Sequence, residues 1–179
     1  MHPDTASCRT PKLIPADAPF TAVGPESLAC SLTLPANPRS PGIARAATRT
    51  VLQAHGLPET TDAVVQVVSE LTACACRFST TPEIYISLRY RDTALRVTLY
   101  DGHPRHTHPR LDAACRTHRR LALRVLDQVV HACRGDWGIG GPRADPVGGT
   151  RMWAVLPHEG AAGYAPGRAG TPVTADPSR

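Results

Sequence analysis

The stretch from Val64 to Phe78, VVQVVSELTACACRF, decides the fold. Its apolar residues Val64, Val67, Val68, Leu71, Cys74, Ala75 and Phe78 recur at offsets of 0, 3, 4, 7, 10, 11 and 14. That is the spacing of a helix with one buried face, continuous for about four turns. Thr60, Thr61 or Asp62 supplies a capping side chain at its start. Glu70 flanks the stripe, and Cys74 lies one turn further along.

Working upstream, Ser40-Pro41 reads as a helix start, with serine as cap and proline in the first turn. Ile43, Ala47, Thr50, Val51 and Ala54 form its apolar face, and Gly56 and Pro58 end it. Before it, Leu28, Cys30, Leu32 and Leu34 alternate with small or polar residues, as in a half-buried strand. Downstream, Ile84, Ile86, Leu88 and Tyr90, then Leu95, Val97 and Leu99, read as two strands of a hairpin joined through Arg91-Asp92-Thr93. Asp101-Gly102 ends the second strand. A basic loop then leads to a helix carrying Leu121, Val125 and Val129, with Ala122, Leu126 and Val130 one position on. Gly138 to Gly141 reads as a turn, and Met152 to Leu156 as a last strand. The order predicts an α+β two-layer sandwich, a mixed or antiparallel sheet with helices on one face. The expected domain covers residues 25–158, between a proline-rich flexible arm, 1–24, and a glycine- and proline-rich disordered tail, 159–179.

The composition narrows the function classes. The 179 residues contain no apolar run long enough to span a bilayer, and the N-terminus lacks the apolar core of a secretory signal, so a cytoplasmic protein is expected. The six cysteines then read as free thiols, and a zinc site built from them and the eight histidines is not the favoured reading. The net charge is +5, and one lysine stands among 20 basic residues. Between Arg105 and Arg124 lie six arginines and one acid, Asp112, a local excess as large as that of the whole chain. Such a patch suits phosphates, an acidic protein or nucleic acid, or it is a solvated loop. No helix-turn-helix or aromatic stacking set supports nucleic acid. His103, His106 and His108 read as solvated, and Trp137 and Trp153 as core.

VVSELTACACRF, residues 67–78, resembles the N box of GHKL ATP-binding domains, the fold of histidine kinases, gyrase and the heat-shock chaperone family. The likeness is greatest to the anti-sigma-factor serine kinases and their actinobacterial relatives, whose box reads V-S-E-L-V-T-N-A-x-R-H. Residues 32–45, LTLPANPRSPGIAR, resemble their first strand and helix. Asp101-Gly102-His103-Pro104 resembles their G1 box, and residues 148–157, GGTRMWAVLP, their closing strand. The resemblance covers nearly the whole expected domain, and its specificity lies in the order of the motifs.

The resemblance implies ATP, with Mg²⁺, as the ligand. Glu70 takes the place of the carboxylate that orients or deprotonates the attacking hydroxyl, and Asp101, with Gly102, that of the group accepting from the adenine amino group. Cys74 stands where the family has its Mg²⁺-holding Asn, and a thiol is a poor ligand for a hard ion. Phe78 replaces the closing His. The glycine-rich G2 box is His118-Arg119-Arg120-Leu121, so Arg119 and Arg120 would meet phosphate by side-chain charge instead of backbone N–H groups. Thr150 stands near the family's phosphate-contacting Thr. The implied function is an ATP-binding regulator of the anti-sigma or serine/threonine-kinase type with weakened nucleotide chemistry. The alternative is a nucleotide-independent module that holds a protein. The expected partner is a sigma factor, an anti-sigma antagonist or another transcription regulator, with homodimerisation open and nucleic acid disfavoured. A common hollow facing Glu70 and Asp101 is the geometric expectation.

Overall fold

The computed structural model describes residues 23–104, 106–140 and 149–166. Its elements run β1 (Ala29–Pro35), α1 (Ser40–Ala54), α2 (Thr61–Phe78), β2 (Glu83–Arg91), β3 (Ala94–Asp101), α3 (Pro109–Ala122), α4 (Arg124–Ala132), β4 (Asp136–Gly140), β5 (Thr150–Pro157) and α5 (His158–Ala162). The five strands form one sheet in the order β1-β2-β3-β5-β4, every neighbouring pair antiparallel. Ile84, Ile86 and Leu88 of β2, with Leu95, Val97 and Leu99 of β3, are buried toward the helices. Tyr85, Ser87, Arg89, Arg96, Thr98 and Tyr100 line the opposite face. The α+β two-layer arrangement read from the order of elements is therefore the architecture. No helix among the described residues is long and apolar enough to cross a membrane.

The helix α2 is the spine of the helical layer. Val64, Val67, Val68, Leu71, Cys74 and Ala75 are buried as its stripe requires, and Ala63, Val65 and Thr72 join them, because α1 and α4 pack beside it above the sheet. Burying a Leu or Val side chain stabilises by about 1.5–3 kcal/mol, which makes this helix the main apolar anchor. Its start is not closed by a capping side chain, contrary to expectation. The Thr60 hydroxyl instead donates back to the Leu57 carbonyl at 2.9 Å. Likewise, Ser40 lies inside α1, and its hydroxyl donates to the Pro35 carbonyl at 2.6 Å. The buried row of α1 is Ser40, Ala44, Thr48 and Leu52, one position on from the expected face, with Ile43 52% exposed. Small residues at 44 and 48 let α1 lie close against α2, which outweighs the greater apolar bulk of the neighbouring row.

The hairpin turns at Asp92 and Thr93, both at positive φ (53° and 55°), as a two-residue connection matched to strand twist requires. Four expectations need correction. The basic segment is no loop along most of its length, since Pro109–Ala122 is α3. The helical run through Leu121 and Val125 is broken at Leu123, at φ −98° and ψ 20°, leaving Leu121 and Val125 exposed while Leu126, Val129 and Val130 are buried in α4. The glycine-rich turn begins as an edge strand, β4: Gly138 lies against the Trp153 ring, where a β-carbon would come within 2.9 Å of Cζ2. Past the expected domain end, His158–Ala162 forms α5, whose Ala161 is buried. Both tryptophans are only half-buried. Trp137 sits beside the core with its Nε1 donating to Asp127 at 2.7 Å.

Candidate functional site

The α3 helix forms from local signals. The His108 side chain accepts from the Arg110 N–H at 3.3 Å, and Pro109 occupies the first turn. Asp112 stands near the N-terminus and Arg119 and Arg120 near the C-terminus, each favoured by the helix dipole. Asp112 also pairs with Arg116 at 2.9 Å across one turn. What α3 lacks is an apolar face. Its one buried residue is Arg119, 1% exposed.

Arg119 reaches the end of β3. Its Nη1 donates to Asp101 Oδ2 at 2.6 Å, with both side chains essentially inaccessible to solvent. The other Asp101 oxygen accepts from the His103 backbone N–H at 3.0 Å, so both carboxylate oxygens are engaged. The same guanidinium lies 4.7 Å from the centre of the Phe78 ring, a cation–π contact, and Nη1 is 3.6 Å from Met152 Sδ. Arg119 Nε and Nη2 are buried without a hydrogen-bond partner among the described residues. Burial by itself lowers the Arg119 pKa. The Asp101 hydrogen bond and charge more than offset that and raise it, so the pair is ionic. Cys74 borders the cluster. Burial pushes its thiol up to about 12, against a smaller lowering by the Arg119 charge, so it is a neutral thiol at pH 7.

Cys74, Phe78 and Arg119 thus meet around Asp101. Gly102 and Thr150 adjoin Asp101, while Glu70 and Arg120 make contacts of their own. Glu70 is half-buried and accepts from Gln66 Nε2 at 3.0 Å, and desolvation raises its pKa above the ordinary 4.5. Gly102 is packed under Thr81, and its carbonyl accepts from the Thr80 hydroxyl at 2.9 Å. Arg120 is exposed, its guanidinium 5.6 Å from the Trp137 ring centre. Thr150 pairs with Asp101 across β3 and β5, and its hydroxyl lies 3.4 Å from the His103 carbonyl. A cavity of about 150 Å³ is lined by Arg119 and Thr150, with Pro104, His106, Asp112, Cys115, Arg116, Ile139, Gly140 and Gly149. Neither Glu70 nor Asp101 lines it.

The residues present do not suit Mg²⁺. A neutral, buried sulfur stands at the position the resemblance gives to an amide oxygen, and Asp101, whose charge acts on that thiol, is tied to an arginine. A different donor set converges nearby. His103, His106 and Cys115, all half-buried, bring one ligand atom each to within 4.8 Å of one another. The sequence reading leaves these histidines in solvent. The structure corrects that, because α3 folds back over the loop that carries them. The Arg119–Asp101 pair was equally hidden, since eighteen residues of chain separate its members and no periodicity joins them.

No family model matches the chain, and no curated protein matches it. Among solved structures it is similar to the histidine kinase domain from the Erythrobacter litoralis EL346 blue-light activated histidine kinase, at 19% identity and a TM-score of 0.43. The match covers 72% of this chain and 64% of that one.

Proposed function

We propose that this protein is a cytoplasmic regulatory module of the anti-sigma or serine-kinase type that holds a protein partner without turning over nucleotide. A transcription regulator, such as a sigma factor or an anti-sigma antagonist, is the partner class. The observation that carries this reading is the buried 2.6 Å pair between Arg119 and Asp101. In a GHKL site that carboxylate is the adenine acceptor. Here its two oxygens have partners in the chain itself, and an adenine would have to displace a guanidinium. Breaking a buried ion pair by removing one partner costs about 3–5 kcal/mol, of the order of the whole binding energy of a ligand with a millimolar dissociation constant. Cys74 adds to the argument, since a neutral thiol is no substitute for an Mg²⁺-binding oxygen.

One observation favours a second reading, an active kinase. Glu70 is held above its ordinary pKa by desolvation, the direction that favours a general base. Thermal unfolding of the purified chain with increasing Mg-ATP separates the two. The proposal expects no rise in melting temperature at millimolar Mg-ATP. A saturable rise, which mass action demands of any ligand that binds the folded state, would establish nucleotide binding and overturn it. Partner capture from the native cell extract should be equal with wild type and Glu70→Ala. Loss of capture in that variant would support the kinase.

A further inference from the structure

We infer that His103, His106 and Cys115 form a zinc site that ties the loop after β3 to α3. Three features carry the assignment. The first is distance. His103 Nε2 and Cys115 Sγ are 3.8 Å apart, and the His103 and His106 rings meet edge to face with centres 5.1 Å apart. Zinc bonds of about 2.0–2.3 Å place tetrahedral ligand atoms roughly 3.5 Å from one another. One edge of the tetrahedron is therefore already close to its final length, and side-chain rotation brings the others in from within 4.8 Å.

The second feature is the state of the His103 ring. Its Nδ1 lies 2.9 Å from the Pro104 carbonyl oxygen, an atom that only accepts, so Nδ1 carries the proton. The lone pair is then on Nε2, the nitrogen that faces Cys115. Metal-binding histidines are oriented in this way by a carbonyl on the far nitrogen. The His103 backbone is held as well, by its N–H to Asp101 Oδ1 at 3.0 Å, with Thr150 Oγ1 3.4 Å from its carbonyl oxygen. One ligand is thus placed before any metal arrives.

The third feature is the open side. His106 and Cys115 both line the 150 Å³ cavity, and so does Asp112, one turn before Cys115 on the same face of α3. Three protein ligands and a fourth position opening on a polar cavity match the pattern of zinc sites that keep an exchangeable water. Two imidazoles and a thiolate select zinc over Mg²⁺ or Ca²⁺. Thiol deprotonation accompanies binding, and the proton goes to solvent. Cys115 is one turn from Arg119, so the bound ion would also hold α3 in the position that keeps Arg119 against Asp101.

Cobalt(II) titration of the metal-free, full-length chain tests this. A one-to-one complex is expected, with a thiolate-to-cobalt charge-transfer band, strong tetrahedral d–d absorption, and loss of both on adding zinc. Cys115→Ser should abolish the charge-transfer band, and His106→Ala should weaken cobalt binding by at least about tenfold. Both positions are only half-buried, and far-ultraviolet circular dichroism of the metal-free variants verifies that they fold. Cys76→Ser, outside the cluster, should leave the spectrum unchanged. A band that persists in folded Cys115→Ser would overturn the proposal, as would the absence of any band in folded wild type at stoichiometric cobalt. None of these readouts involves nucleotide, so the zinc site and the reading of the Asp101 pair stand or fall separately.

Discussion

α2 and α3 are of similar length and lie on the same side of the sheet, yet they are held in opposite ways. α2 buries nine residues, all apolar or small, and its position follows from a broad hydrophobic contact. α3 buries a single residue, and that residue is an arginine paired with an aspartate. A helix held by many weak apolar contacts opens only when the domain unfolds. A helix held by one ion pair opens when that pair is broken, at lower cost than global unfolding. The helix beside the candidate site is thus the one built to respond to a local chemical change.

The sharpest test of this contrast removes Asp101. Asp101→Ala leaves a buried, unpaired guanidinium and should cost about 3–5 kcal/mol. The loss should concentrate in α3, whose amides will exchange faster with solvent while those of α2 remain protected. Equal acceleration in both helices would erase the distinction. Leu71→Ala comes next, at about 2–5 kcal/mol from lost burial and a residual cavity. Because Leu71 is fully buried in α2, urea unfolding should show a lowered midpoint and amide exchange should accelerate throughout.

The double replacement Asp101→Leu with Arg119→Met is expected to change stability by less than about 1.5 kcal/mol in either direction. Replacing both charges leaves neither buried and unpaired, and apolar side chains of similar size recover the packing, whereas Arg119→Met alone strands the Asp101 carboxylate. Urea unfolding measures this directly, and a loss as large as that of Asp101→Ala would mean that the cost is not that of an unpaired buried charge. A smaller effect is expected at Glu70. Its folded-state pKa is raised above 4.5, so the stabilisation linked to its proton is complete below pH 4.5 and lost as pH rises through the folded-state value. Glu70→Gln removes that dependence, so urea midpoints measured from pH 4 to 7 should shift progressively in favour of the variant. A constant difference across that range would contradict burial as the cause.

The two helices also differ in how legible they were. A three-and-four apolar repeat identified α2, its buried face and the place of Glu70 and Cys74 on it, because a buried face is a property of local spacing. In the same way, alternation found β2 and β3 and the position of Asp101 at a strand end. α3 carried proline, an acid and two arginines at the right ends, but no stripe, so it read as a loop. The β4 strand was hidden by Gly138 and Gly140, which periodicity treats as a turn. Only the Trp153 ring across the sheet explains why glycine serves at 138. On α1 the local pattern selected the wrong row, because closeness of approach to α2 is not recorded in hydrophobicity.

Sequence alone determined the α+β architecture, the principal helix and the identity of the unusual residues at 74 and 78, since each depends on residue type and local period. Tertiary structure decided that those residues meet Arg119 beside Asp101 and that His103, His106 and Cys115 share one corner. Contacts of that kind join segments far apart in the chain. They are set by how helices stack on the sheet, and no local repeat of residues encodes them.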